Sequence, residues 1–183
     1  MGVTKLLDLV QPLRSNVPIM DYGKNKTLEI DMSVWFHLFA YVNARSVVAY
    51  KDYSKMVRSI KARLKKLLQA GVAVYVVFDS DIGFSGKKTT DEQMNRKREE
   101  ALAQIEAQPA MEMVPNAIFQ QAVKITSDMK RYIIDEVLEP LMQNCDIEYT
   151  AAIGEADSQL VHMFREGQID ATFFETLGRE IFF

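Results

Sequence analysis

Asp31 ends the stretch "LEID", Asp79 ends "VYVVFD", and Glu155 and Asp157 follow "EYTAAIG". Taken singly, an aspartate that closes a strand is ordinarily a turn former or a helix cap. Glu155 and Asp157 could equally be charges at a helix N-terminus or solvated surface. Gathered in one place, the same acids do something else. Crowded carboxylates repel and raise one another's pKa, so such a cluster is costly unless a cation neutralises it. Hard oxygen donors suit Mg²⁺ or Mn²⁺, ions that support in-line displacement at phosphorus by water. The spacing favours this metal reading over caps and turns.

The elements that would carry these acids can be read from periodicity. "TLEIDMSVW" (27–35) predicts a short buried strand ending near Asp31, and "VAVYVVFD" has the continuous β-branched character of a central parallel strand covered on both faces. "CDIEYTAAI" (145–153) is a third strand candidate, and the final stretch "QIDATFFETLGREIFF" predicts a fourth strand with a ragged end. Between them, apolar residues at 56, 57, 60, 64, 67 and 68 follow the 3.6-residue helical period, which Gly71 stops. Residues 91–107 are charged and helix-prone up to Pro109, and a helical pattern resumes from Pro115 through "NAIFQQAVKI". A further helix is predicted over 128–143, with Pro140 as a kink or break, and another over 155–166, stopped by Gly167. Strands alternating with helices imply a mostly parallel α/β sheet. In such a sheet the carboxyl ends of the strands share one edge, where sites form.

Other chemistries are poorly supported. "DIGFSGKKTT" resembles a phosphate-binding loop, yet Asp81 and Lys88 stand where that loop needs Gly and Ser/Thr. His37 and His162 lie in apolar helical contexts and Cys145 has no evident base beside it, so packing is the expected role of all three. The ten methionines read as core filler. One cysteine in 183 residues permits no internal disulfide, and the longest apolar run, 72–78, is too short to span a bilayer. The start "MGVTKLLDLV" lacks a signal-peptide pattern, and Leu6 stands where a myristoylation motif needs Ser or Thr. A soluble intracellular protein without a membrane partner is the expectation. With 48% hydrophobic and 26% charged residues and no repeat or linker, one globular domain over 1–183 is the simplest organisation. The net charge of −3 argues against a generic polyanion binder, although "KARLKK" (61–66), "GKK" (86–88) and "RKR" (96–98) are locally basic.

The order of motifs is itself distinctive. "MGVTKLLDLVQP", "LEIDMSVWFH", "VYVVFDS" with a Lys/Arg-rich helix after it, and "AAIGEADSQLVHMFREGQIDA" together resemble the flap endonuclease, XPG and exonuclease 1 family of structure-specific 5′ nucleases. The resemblance runs along nearly the whole chain: an N-terminal region over 1–100 and an internal region over 135–183 that diverges after 171. It implies a PIN-like α/β fold, C-terminally incomplete, with Mg²⁺ or Mn²⁺ held by Asp31, Asp79, Glu155 and Asp157. It also implies hydrolysis of DNA with 5′ ends or flaps in repair or replication and a nuclear location, and it leaves RNA open as a substrate.

The family holds the scissile phosphate with a lysine and an arginine on the helix after the second acid. Lys88 or Lys87 suits the lysine. The arginine position falls on Met94 or Asn95, and Arg96 lies one or two residues beyond it, with Arg98 a further nucleic-acid contact. Gly2 is implied near the active site, because the family's N-terminus lies there. The family's Glu-Asp-x-Asp strand is "ETLG" here: Glu175 is kept, but Thr176 and Gly178 replace two aspartates. The helix-hairpin-helix segment that grips duplex DNA does not occur in these residues. A catalytically impaired PIN-like module that binds nucleic acid or a protein partner is therefore the alternative to an active nuclease. A chain that forms no stable domain alone is the third reading.

Overall fold

The computed structural model describes residues 25–80, 88–153, 156–176 and 179–182, with the side chains at 88–91, 157, 158, 160 and 171–182 excepted. Strand β1 (Thr27–Asp31) leads into helices α1 (Met32–Val42), α2 (Ala44–Tyr50) and α3 (Ser54–Gln69), and these return the chain to β2 (Ala73–Phe78). A long helix α4 (Lys88–Glu106) follows, then a 3-10 turn (Met111–Met113), α5 (Asn116–Ala122) and α6 (Ser127–Ile133). A π-helical segment (Ile134–Leu138) joins α6 to α7 (Glu139–Met142). The chain ends with β3 (Ile147–Ala151), α8 (Ala156–Arg165), β4 (Ala171–Thr176) and β5 (Arg179–Phe182).

The strands form one sheet in the order β3-β2-β1-β4-β5. The pairs β1–β2, β2–β3 and β1–β4 are parallel, and β5 closes the edge antiparallel to β4. The mostly parallel sheet expected from the sequence is thus observed, with a hairpin where a ragged end was predicted. Alternation along each strand divides the apolar residues between two faces. Leu28, Ile30, Val74, Val76, Phe78 and Ile147 join the large core that holds Trp35, Phe36, Ile60, Leu64, Phe119 and Ile133 from the helices. On the opposite face Val77 and Tyr75 meet Ala152 and Ala156, the first residue of α8. The sheet is therefore covered on both sides, as the β-branched run of β2 requires.

Two breaks have identifiable causes. Gly71 (φ 79°) and Gly167 (φ 68°) take the left-handed conformation that ends α3 and α8 without a Cβ clash. Pro140 removes the amide that would bond to the carbonyl of Glu136 in an α-helix. That carbonyl instead accepts from Lys61 Nζ at 3.3 Å, and the turn before the proline widens to π geometry. The helical pattern from Pro115 stops at Ala122, because Val123 is extended (φ −59°, ψ 128°). Among the described residues, no helix is long and apolar enough to cross a membrane.

Candidate active site at the carboxyl edge of the sheet

Asp31 is the last residue of β1 and the N-cap of α1, where its Oδ1 accepts from the Ser33 amide at 2.8 Å. The cap reading of this acid is therefore correct. Asp31 is only 7% exposed. In the parallel register it stands opposite Val77, so Asp79 lies two residues further along the adjoining strand, roughly 7 Å at strand rise.

Asp79 is the point at which distant parts of the chain meet. Its Oδ1 accepts from the amide of Ala156 at 2.8 Å. The bond satisfies one of the orphan amides that open α8, and the carboxylate suits the positive end of that helix. Asp157 is the second residue of α8, one residue from this contact. The carbonyl of Asp79 accepts from Lys130 Nζ of α6 at 2.9 Å. Asp79 and Lys130 share a cleft of about 450 Å³ with Ser33, His37, Ser80 and Lys124. Burial lowers the pKa of His37 from its ordinary value, Arg98 lowers it further, and Asp79 opposes both, although part of the ring remains exposed. A second cleft of similar size lies at the opposite, amino edge of the sheet, around Lys65, Gly71, Val72 and Asp146.

The basic residues of α4 separate. Arg96 is 83% exposed and pairs with Glu100 through Nε–Oε1 at 3.1 Å, a surface i,i+4 bridge. Arg98 is half-buried; its Nε donates to the Val123 carbonyl at 3.1 Å, beside the cleft lysine Lys124. Lys88 is the first residue of α4, and its side chain lies outside the described set. Gly2, Lys87, Glu155 and Gly178 lie outside the described residues altogether. Thr176 ends β4, the strand beside β1, so a neutral residue stands at the same edge where the family resemblance implies an acid.

Glu29 is an acid that sequence reasoning passed over. It lies inside β1, fully buried, with neither carboxylate oxygen hydrogen-bonded. Burial, and secondarily the charge of Asp31, push its pKa up to about 8. An acid in the middle of "LEI" was the available signal. Lys124, between α5 and α6, and Lys130, on α6, were passed over for a different reason: a lysine is ordinarily solvated.

Among the described residues, no three carboxylate, imidazole or thiol side chains stand together as a ready-made ion site. The described acids at this edge of the sheet are Asp31 and Asp79. Both are hard oxygen ligands, the chemistry that Mg²⁺ or Mn²⁺ takes and softer metals do not. In kind, though not yet in number, the described acids suit such an ion.

Comparison with known proteins places this geometry. Exodeoxyribonuclease 1 of Schizosaccharomyces pombe is 27% identical over 184 residues, covering 100% of this chain and 31% of that protein. Exonuclease 1 of Xenopus laevis is 25% identical over 177 residues, covering 96% of this chain and 23% of that one. The chain thus spans less than a third of the first relative and less than a quarter of the second. Among solved structures, the catalytic core of Rad2 in complex with DNA substrate superposes with a TM-score of 0.63 at 18% identity, over 100% of this chain and 53% of that one. Human GEN1 in complex with Holliday junction DNA gives 0.52 at 16% identity, over 99% of this chain and 43% of that one. At such identities the likeness concerns the fold, and it is the PIN-like α/β arrangement expected from the sequence. The XPG N-terminal domain matches residues 1–101, more than half of the chain, and by that match the chain belongs to the XPG and exonuclease 1 family of nucleases.

Proposed function

We propose that this chain is part of a divalent-metal-dependent, structure-specific 5′ nuclease that hydrolyses DNA phosphodiesters in nuclear repair or replication. The observation that carries the reading is the bond from the Ala156 amide to Asp79 Oδ1, which joins the end of β2 to the Glu-Ala-Asp stretch. It supports a site in which Asp31, Asp79, Glu155 and Asp157 hold Mg²⁺ or Mn²⁺. Such an ion would supply Lewis-acid activation of water and neutralise charge at the phosphate. Asp31 and Asp79 each keep one oxygen on a backbone amide, so their carboxylates are oriented before any ion arrives. Lys88, with Lys87, is the proposed electrostatic partner of the scissile phosphate. Lys124 and Lys130 line the cleft beside Asp79, where they suit neighbouring phosphates of the strand. Arg98 faces the Val123–Lys124 segment at that cleft, whereas Arg96 is engaged with Glu100 at the surface. Arg96 would contact DNA only from the outer side of α4. Gly2 is proposed near the site by resemblance alone.

The test is Mg²⁺- or Mn²⁺-dependent cleavage of a 5′-flap or recessed-end duplex by the wild-type chain and by Asp79→Asn. Cleavage by the first and not the second is the expected result. A second reading, a nuclease-like module that binds nucleic acid without cutting it, is favoured by Thr176 and Gly178 where the resemblance implies aspartates. Failure of both proteins to cleave, with DNA binding that weakens steeply as salt rises, would establish that second reading for this chain.

A further inference from the structure

Helix α3 carries Lys55, Arg58, Lys61, Arg63, Lys65 and Lys66 and no acid, in a chain whose net charge is −3. A merely solvated helix face ordinarily mixes signs, because like charges three or four residues apart repel. Here Arg58 and Lys61, Lys61 and Lys65, and Arg63 and Lys66 all have that spacing. Two of these cations are absorbed by the fold. Lys61 donates to the Glu136 carbonyl, and Arg63 lies over the rings of Trp35 and Phe39 at 5.9 and 5.8 Å. Lys55, Arg58, Lys65 and Lys66 are exposed, and none of them is in an ion pair among the described residues. Asp52 senses Lys55 and Arg58, but its carboxylate is taken by the Ser54 amide at 2.9 Å. At one turn per 3.6 residues the four exposed cations fall within an arc of about 100°, opposite the buried Met56, Ile60, Leu64 and Leu67.

This stripe runs into a cleft. Lys65 lines the opening of about 460 Å³ at the amino edge of the sheet, whose walls include Leu68, Val72, Leu141, Cys145 and Asp146. We infer that the outer face of α3 and this cleft together dock an acidic segment of a partner protein, one that carries an apolar or aromatic side chain among its acids. Carboxylates of the segment lie along Lys55, Arg58, Lys65 and Lys66, a run of roughly 16 Å. The apolar side chain fills the cleft between Leu68, Val72 and Leu141. Asp146 repels acids there, which leaves the apolar group as the part that enters. A polypeptide fits better than a nucleic acid for two reasons. A phosphate backbone brings no apolar group to such a cleft. The lysines around Asp79, Lys124 and Lys130, lie at the opposite edge of the sheet, a strand length of about 20 Å away.

The probe is a fluorescein-labelled random copolymer of glutamate and tyrosine, which samples many acidic and aromatic arrangements. It is compared by anisotropy with polyglutamate and with single-stranded oligothymidylate. Cys145 is the only cysteine of the chain and lines the cleft, so its alkylation by iodoacetamide reports occupancy at one place. The expected result is copolymer binding that weakens with salt and slows the alkylation, with polyglutamate bound more weakly. Lys65→Glu combined with Lys66→Glu should lower copolymer affinity by about tenfold. Lys97→Glu combined with Arg165→Glu, on α4 and α8, makes the same change of net charge and should bind as wild type. Melting establishes that both variants fold, and the contrast between copolymer and polyglutamate needs the wild type alone. No copolymer binding at millimolar concentration, alkylation unchanged by bound copolymer, or polyglutamate bound equally well overturns the proposal. An equal loss in the two variants does so too, because it marks general attraction. Oligothymidylate that protects Cys145 as well as the copolymer does assigns the face to nucleic acid and overturns the polypeptide reading.

Discussion

The amide of Ala156 and the carboxylate of Asp79 lie 77 positions apart in sequence and 2.8 Å apart in space. This contact ties two distant parts of the chain together. It also sets the helix that carries Asp157 against the end of the central strand. An aspartate here acts twice: as a remote N-cap for α8 and as a charge at the carboxyl edge of the sheet.

The two roles separate by mutation. Asp79→Asn keeps a side-chain oxygen for the Ala156 amide and loses the charge, whereas Asp79→Ala loses both. Urea denaturation is expected to show asparagine within about 0.5 kcal/mol of wild type and alanine about 1–2 kcal/mol less stable. Metal-dependent cleavage is expected to vanish in both. Equal stability of the two variants would mean that the contact does not hold α8 in place.

Lys124 and Lys130 flank Asp79 in the cleft, and Lys130 also holds the Asp79 carbonyl. If phosphates lie there, Lys124→Ala and Lys130→Ala should each weaken DNA binding uniformly across sequences. Each should also flatten the slope of log affinity against log salt by about one unit. Lys65 lines the cleft at the opposite edge of the sheet and serves as the control. Its alanine variant should bind as wild type. A Lys65 effect as large as that of Lys130 would show that the interaction is diffuse and that the cleft is not the site.

How much of this could be read from the residues alone follows from what each element exposes. Strands β1, β2 and β3 and helix α3 announce themselves because burial imposes a clear period on their apolar residues. Helices α1 and α2 do not: "WFHLFAYV" is apolar on all sides, with Trp35 and Phe36 buried and Tyr41 and Val42 exposed, so no period marks the break at Asn43. Pro140 signals a break, but its form, a π turn whose freed carbonyl is taken by Lys61, depends on a helix 75 positions away. The antiparallel return of β5 depends on pairing with β4, which no local pattern shows. At the site, Asp31 and Asp79 are evident because they close strands. Lys130 and Arg98 are not, since only tertiary packing decides which helical cation faces inward.

Asp170 provides a pH-dependent tie at the other end of the sheet. Its carboxylate accepts from the Thr27 amide at 2.8 Å and from Lys26 Nζ at 2.9 Å, joining the start of β1 to the segment before β4. The Thr27 amide, and then Lys26, hold its pKa below the ordinary aspartate value. The folded state therefore binds this proton more weakly than the unfolded chain does. Its stabilisation is fully present above the ordinary aspartate pKa and is lost as pH falls through the depressed folded value. Asp170 is 37% exposed, so solvent screening limits the effect to no more than about 1 kcal/mol. Asp170→Asn should melt below wild type at neutral pH and converge with it in acid. A constant difference across that range would show that the carboxylate charge is not the cause.

Arg96 and Arg98 are two residues apart on α4 and so point about 200° apart around its axis. Arg96 is held in a solvent-exposed pair with Glu100, of the kind that contributes less than about 0.5 kcal/mol. Arg98 binds the carbonyl of Val123 and acts on His37 in the cleft with Asp79. Arg96→Ala is expected to leave stability and DNA affinity near wild type. Arg98→Ala is expected to be destabilising by about 1–2 kcal/mol and to raise the pKa of His37, since it removes a like charge from the imidazolium. Titration of the imidazole by nuclear magnetic resonance reads the second effect independently of folding energy. A His37 titration that shifts in Arg96→Ala and not in Arg98→Ala would reverse the two sides of the helix. Arg96, and not Arg98, would then be the arginine on the cleft side of α4.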